Sequence, residues 1–281
     1  MNILITGAAG FLGRELVAHF IEAGHHVVGL TNSESRSQEI NFHSDTNKLN
    51  LYNLDISTNK HKISHILRKY NIDYVVHTAA MKHVKICEQN PTRAIEVNVI
   101  GTKNIIEAAL ENNVKNVIGI STDKATNPSC VYGVTKYLTE KLLLDHNFSV
   151  FQGVNFFFST GSVLDIWDKQ RLQGKPISVS NRDMVRYFVP IREVVEKISS
   201  CLGSQSTYIF NEKCYKIHLH KLCEAYKEYH SYPNQVEYKD ISQEKQEEEI
   251  FYDIEVKTPD IDAIKIMLNN FYIRKRESKW L

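Results

Sequence analysis

Short apolar runs alternate with longer amphipathic stretches from the first residues of the chain. Ile3–Thr6 reads as a strand, Leu12–Ala23 as a helix and Val27–Leu30 as a second strand. The pattern then recurs, with strands predicted over Leu51–Leu54, Tyr74–His77 and Val117–Ser121 and helices over His61–Tyr70, Pro91–Asn112 and Tyr132–Asp145. Short Val, Ile and Leu runs separated by helices of this length indicate βαβ units, whose strands are buried on both faces. The expected fold is therefore α/β, a Rossmann-type doubly wound parallel sheet. Ser33–Asn50 is polar with few apolar anchors and reads as a long surface loop.

Beyond Phe151 the pattern loosens. Short strands (Ile177–Val179, Thr207–Phe210, Gln235–Tyr238) mix with short helices (Leu164–Leu172, Arg192–Cys201, His218–Tyr229), as a smaller C-terminal substrate-binding lobe requires. The expected division is residues 1–150 for the dinucleotide-binding domain and 151–281 for that lobe, with room for discontinuous contributions. The acidic Ser242–Glu249 run reads as a solvated face or loop.

Composition narrows the class. A chain of 281 residues, 42% hydrophobic and 24% charged, can bury a sizeable core. Its formal net charge of +1 offers no strong field for nucleic acid or an anionic membrane. Five cysteines with no CxxC spacing fit neither a disulfide framework nor a zinc site, so reduced thiols and no metal are expected. The N-terminus runs straight into a strand without the marks of a signal peptide, and no apolar run approaches the ~20 residues of a membrane span. The expected location is the cytoplasm.

The chemistry begins with Gly7-Ala-Ala-Gly10-Phe11-Leu12-Gly13, which follows a strand and opens a helix. Gly7 permits a tight turn, Gly10 lets backbone N–H groups approach a pyrophosphate, and Gly13 lets helix and sheet pack closely. At the end of the second strand stand Thr31 and Asn32, where an Asp would select NAD and a nearby Arg would hold the extra phosphate of NADP. Asn32 can still bond a ribose hydroxyl, which favours NAD; Arg36 is the residue that would favour NADP. Asp55-Ile56 ends the third strand, where the residues read as a cap on the helix that follows.

Tyr132 and Lys136 are four apart and share a helix face. A phenol is too weakly acidic to serve as a base at neutral pH unless a neighbouring ammonium and a nicotinamide cation lower its pKa. Asp123 and Lys124 add a carboxylate and an amine. Oxidising a sugar C4 hydroxyl acidifies the C5 proton, so a base can remove it while an acid protonates the departing C6 hydroxyl. A simple alcohol dehydrogenase needs neither group.

The GxxGxxG spacing resembles the extended short-chain dehydrogenase/reductase superfamily, a resemblance that implies adenine contact at Asp55-Ile56. The run His77–Ala109, followed by ISTDKATNP and YGVTK, resembles more narrowly the UDP-N-acetylglucosamine 4,6-dehydratase/5-epimerase family of pseudaminic acid and capsule pathways. The match is close over Met1–Val150 and thinner through Gly161–Val163 and Met184–Phe188. The resemblance implies that Thr122 orients the substrate, that Asp123 and Lys124 serve elimination and C5 chemistry, and that Tyr132 and Lys136 serve the C4 redox step. It places Ala79, Ala80 and Asn98 beside the cofactor, with Phe11, Leu12 and the three glycines. It places Lys82, His83, Asn155, Ser162, Val163 and Arg186 on the substrate, with an Arg on the diphosphate. Gln152-Gly153-Val154-Asn155 departs from the family's Arg-Tyr-Gly-Asn and keeps only the Asn, and Thr160 stands where an Arg is usual. Phe156–Phe158 are expected in core or sheet.

The implied activity is a short-chain dehydrogenase/reductase-type nucleotide-sugar 4,6-dehydratase/5-epimerase. It would make a UDP-2-acetamido-2,6-dideoxy-4-ketohexose, the L-arabino isomer, from UDP-N-acetylglucosamine, with a tightly bound NAD (NADP being the alternative) and as a homodimer or higher oligomer. A second reading is a later enzyme of a two-enzyme route, acting on a 5,6-unsaturated or 4-keto UDP-sugar. A non-catalytic dinucleotide sensor is the third.

Overall fold

The computed structural model describes residues 1–33, 47–204, 207–238 and 254–277. Arg36 and the Ser242–Glu249 run lie outside them. Contacts divide the chain into two units, the first taking Met1–Gly153 with Val195–Phe210, the second Val154–Val194 and the described residues from Asn211 onward.

The first unit is built on β1 (Asn2–Thr6), α1 (Phe11–Glu22), β2 (His26–Thr31), β3 (Leu49–Asn53), α2 (Lys60–Lys69) and β4 (Tyr74–His77). It continues through α3 (Val84–Gln89), α4 (Pro91–Ala94), a π-helical turn (Ile95–Ile100), α5 (Gly101–Glu111), β5 (Asn116–Thr122), α6 (Val131–Asp145) and β6 (Ser149–Gly153). The strands form one sheet in the order β10-β6-β5-β4-β1-β2-β3, where β10 is Tyr208–Ile209. Every pairing in it is parallel. The doubly wound sheet expected from the alternation of runs is present.

Alternation within the strands explains the two cores. Leu4, Val75 and Val117 point with Val28 and Leu30 into a cluster closed by Ile63, Ile66 and Leu67 of α2 and Ile105, Ile106, Ala108 and Ala109 of α5. Ile3 and Ile5 are fully buried but stand outside that cluster, as strand alternation requires. Each such side chain taken from water stabilises the sheet by about 1.5–3 kcal/mol before entropy is counted.

Strand order reverses between β1 and β4, where Thr6 is in register with Leu30 on one side and His77 on the other. The first crossovers run outward through β2 and β3, the later ones through β5 and β6, so a crevice opens past the carboxyl ends of β1 and β4. Loops leaving β1, β4 and β5 there carry Gly7, Ala79–Lys82 and Asp123–Lys124.

Two features differ from the sequence expectation. The helix expected over Pro91–Asn112 is interrupted by the π turn, which a run of apolar residues cannot announce because its local periodicity is nearly that of an α-helix. The strand expected at Thr207–Phe210 forms as β10, but in the first sheet, with Tyr208 opposite Val150 and Ile209 opposite Phe151. Its two residues carry no sign of which sheet they join.

In the second unit β7 (Asn155–Phe156), β9 (Val185–Val189), β11 (Lys213–His218) and β13 (Glu255–Lys257) form a sheet in the order β13-β11-β9-β7. β8 (Ile177–Val179) pairs with β12 (Val236–Tyr238). Asp168, on the helix Val163–Leu172, accepts hydrogen bonds from Tyr226 at 2.7 Å and Tyr272 at 2.5 Å, tying three helices to one carboxylate. Phe157 and Phe158 are buried, and Phe158 stacks on Phe271 with centroids 3.8 Å apart.

Candidate active site

Gly7 has φ +67°, and a Cβ there would meet Thr78 Oγ1 at 2.8 Å and the Ala79 backbone at 2.9 Å. Conformation and space both demand glycine. The turn closes with Gly10 N–H donating to the Gly7 carbonyl at 2.8 Å. A Cβ on Gly13 would lie 2.1 Å from that same oxygen, so the first turn of α1 sits against the loop backbone. The first bond along the helix is Arg14 N–H to Gly10 O. The N–H groups of Phe11, Leu12 and Gly13 therefore precede any intrahelical acceptor. Gly10 supplies no side-chain cap, and the first turn holds no acidic residue. This bare, positively polarised helix start fits the pyrophosphate of a dinucleotide.

Around it, Thr31 is buried, its carbonyl accepting from Leu54 N–H and its hydroxyl from Ser33 N–H, while Asn32 is exposed at the sheet's carboxyl edge. Ala79 N–H donates to Thr6 Oγ1 at 3.1 Å, and Ala79 and Ala80 are half-buried beside the glycine turn. Asp55 is fully engaged: Ser57 donates to it through N–H at 2.8 Å and Oγ at 2.6 Å, and Arg93 pairs with its second oxygen. Burial opposes ionisation there, but these bonds hold the carboxyl below its ordinary value. Ile56 is buried, and its carbonyl accepts from Asn104. The side chain of Asp55 thus organises the turn into α2.

Asn98, from the π turn, is 1% exposed and clamps Met81 from both sides: Oδ1 accepts from Met81 N–H at 2.7 Å and Nδ2 donates to Met81 O at 3.0 Å. Nδ2 also reaches Thr135 Oγ1 on α6 at 3.0 Å. One amide thereby fixes the segment after β4 against α6. Lys82 and His83 follow Met81 and are exposed, His83 as the residue preceding α3.

The stretch from Thr122 to Tyr132 is compact. Thr122 ends β5, and its hydroxyl donates to Asp123 Oδ1 at 2.6 Å and accepts from Lys124 N–H at 3.4 Å, which starts the 3-10 turn Asp123–Ala125. Lys124 Nζ stands 3.5 Å from Asp123 Oδ1. A Cβ on Gly133 would press on the Lys124 carbonyl at 2.6 Å, so α6 packs directly on this turn. Cys130 Sγ accepts from Gly133 N–H, and Glu88 of α3 accepts from Val131 N–H at 2.6 Å, fixing the start of the helix next to Tyr132.

Burial pushes the Tyr132 phenol up to about 12, Lys124 pulls it down, and Asp123 and Cys87 push it up; the Thr122 hydroxyl also favours the phenolate. Lys124 is thus a cation acting on the phenol, besides the Lys136 that the helix spacing offers. Lys136 is 4% exposed, and burial lowers its ammonium to about 8 against an opposing pull from Glu140. It makes no hydrogen bond or ion pair with any described residue, and so is free to bind a ligand hydroxyl. Phenol, ammonium and glycine cradle together fit a nicotinamide dinucleotide.

The second unit holds the remaining candidates. Asn155 begins β7 and donates to Tyr187 O at 3.0 Å; Arg186, on the neighbouring β9, donates to Val185 O at 2.8 Å. Ser162 precedes the helix that begins at Val163, and its buried Oγ has no hydrogen-bond partner among the described residues. Among the described residues no group of His, Cys, Asp and Glu is placed to hold a metal ion. Sequence reasoning missed Glu140, Gln152 and Glu88, of which only Glu140 carried a signal, its spacing of four from Lys136.

The family model for polysaccharide biosynthesis proteins matches residues 3–267. The chain belongs to that family. It stands among the nucleotide-sugar dehydratases and epimerases of the extended short-chain dehydrogenase/reductase superfamily. This family member is 32% identical over 235 residues to an uncharacterized membrane protein of Methanocaldococcus jannaschii, covering 80% of this chain and 70% of that one. It is 33% identical over 211 residues to an inverting UDP-N-acetylglucosamine 4,6-dehydratase of Campylobacter jejuni, covering 71% of this chain and 62% of the relative. Among solved structures, Pen from Bacillus thuringiensis superposes with a TM-score of 0.85 at 24% identity, over 96% of this chain and 98% of that one, which shows a shared fold. No described helix is long and apolar enough to cross a membrane.

Proposed function

We propose that the protein is a UDP-N-acetylglucosamine 4,6-dehydratase/5-epimerase. The observation that carries the reading is the joining of Thr122, Asp123, Lys124 and Tyr132 in one cluster beside a dinucleotide cradle. The Campylobacter relative supports the choice of substrate. A NAD held at Gly7, Gly10, Gly13 and Asn32 would supply hydride acceptance at C4, hydride return at C6 and a positive charge, a redox-neutral cycle that suits a tightly held cofactor. NADP is the alternative, since Asn32 excludes neither.

Tyr132 accepts the C4 hydroxyl proton as the ketone forms. Lys124, with the positive charge a bound cofactor would bring, lowers that phenol's pKa so that the phenolate is present to take the proton. Asp123 removes the C5 proton, and Lys124 protonates the C6 oxygen, which leaves as water. A proton then returns to C5 from the opposite face, giving the L-arabino 4-keto product. Thr122 orders both groups through its bonds to Asp123 and Lys124. Lys82, His83, Asn155, Ser162, Val163 and Arg186 hold the UDP-sugar, Arg186 on the diphosphate. The product class suits pseudaminic acid or capsule synthesis. Five free thiols suit a reducing cytoplasm. The exposed apolar side chains Ile95, Leu110, Val134 and Leu138, from the helical segments expected to pair between protomers, support a homodimer.

Asp123→Asn tests the assignment. It should retain the dinucleotide and bind UDP-N-acetylglucosamine, yet lose dehydration about 10²–10⁴-fold by product mass. Undiminished dehydration in this variant would remove Asp123 from the mechanism.

A further inference from the structure

One buried carboxylate near the site takes no part in the chemistry above. Glu140 lies on α6 one turn beyond Lys136 and is 3% exposed. Spacing of four places it on the Lys136 face of the helix. Its Oε1 accepts from the Ser121 hydroxyl at 2.5 Å and the Gln152 amide at 3.2 Å, and its Oε2 accepts from the Tyr208 hydroxyl at 3.3 Å. Three donors converge on its two oxygens, an arrangement that an ionised carboxylate accepts in full. Burial raises the Glu140 carboxyl above its ordinary value, and Ser121, Tyr208, Lys136 and Lys141 offset part of that.

The surrounding charges single out one relationship. His77, facing Lys136 from β4, is driven down to about 3 by burial and so is neutral. Tyr208, from β10, is pushed up to about 12 and is also neutral. Lys141, on α6 itself, acts on Glu140 with the same sign as Lys136. Gln152 brings no charge from β6. Among the described residues, Glu140 is the anion that acts on Lys136.

We propose that Glu140 is a positioning residue: held ionised by Ser121, Gln152 and Tyr208, it keeps the buried Lys136 an ammonium at the pH where the site works. Without that charge, burial alone governs Lys136 and favours the neutral amine. The neutral amine offers one fewer hydrogen to a ligand hydroxyl and no positive charge to the site.

The inference rests on the reading of Lys136 as part of the site, but its test needs no turnover. Lysine labelled with 13C at Cε is titrated by NMR in the full-length protein, the Lys136 resonance being assigned by its loss in Lys136→Arg. The midpoint in the native protein is expected near 8. Glu140→Gln should lower it by about one unit, a ten-fold loss of proton affinity, while Glu140→Asp stays close to the native value. Thermal unfolding reports whether each variant folds. Should Glu140→Gln not fold, Gln152→Arg sets a guanidinium against the intact carboxylate and should lower the midpoint in the same direction. An unmoved midpoint in a folded Glu140→Gln or Gln152→Arg protein overturns the proposal. Failure of the assigned activity is separate: it appears as absent turnover on UDP-N-acetylglucosamine whatever the titration shows.

Discussion

At the residue scale, the site sets a weak acid against its surroundings. Burial holds the Tyr132 phenol near 12, so nearby positive charge decides whether it can accept a proton. Tyr132→Phe keeps the ring and removes the acceptor; dinucleotide content after purification should be unchanged, while turnover falls about 10²–10⁴-fold. His77 shows the reverse case. It is 2% exposed, with Nδ1 2.7 Å from Thr6 Oγ1 and Nε2 3.0 Å from Thr102 Oγ1. Thr102 spends its hydrogen on Asn98 O at 2.5 Å, so it accepts from His77, whose proton sits on Nε2. The folded pKa, about 3, lies below the ordinary 6.5, so the unfolded chain binds more protons in that window. This contribution to stability is complete above 6.5 and is lost as pH falls toward 3. His77→Gln should therefore lose less stability than the native protein between about pH 7 and pH 5, measured by urea unfolding at each pH.

At the element scale, the candidate site is built on the glycine turn and α6, and both elements were legible. Glycines at fixed offsets after a strand have a mechanical meaning, as does a Tyr and Lys pair on one helix face. Gly13→Ala, which drives a Cβ into the Gly7 carbonyl, should cost about 1–3 kcal/mol of stability and strip the dinucleotide, measured by thermal unfolding and by cofactor content. What escaped the sequence depends on partners far along the chain. Glu140 has meaning only once Ser121, Gln152 and Tyr208 surround it. Lys124 also acts on Tyr132 because the turn after β5 packs against α6, which helix spacing cannot reveal. The π turn at Ile95–Ile100 looks like plain helix in sequence, yet it carries the Asn98 clamp.

At the scale of the whole molecule, the first half was read more fully than the second. A parallel sheet writes itself as apolar runs buried on both faces, whereas β9 and β11 pair antiparallel, with buried and partly exposed positions mixed. The helix Ile261–Glu277 went unread, though Tyr272 within it binds Asp168. The proposed dimer is a property of this scale as well. Val134→Glu with Leu138→Glu places charges on the exposed apolar positions of α6 and should shift the protein to monomer by sedimentation velocity, with its fold intact.

The central claim is that Tyr132, Asp123 and Lys124 act on one sugar ring. The direct measurement is incubation of the purified protein with UDP-N-acetylglucosamine in heavy water, followed by mass spectrometry and proton NMR of the product. Loss of one water, deuterium at C5 and ring couplings of an inverted C5 are the predicted result. A recovered substrate with no deuterium, from protein that holds its dinucleotide, would contradict the account and turn attention to a 5,6-unsaturated or 4-keto UDP-sugar as the substrate.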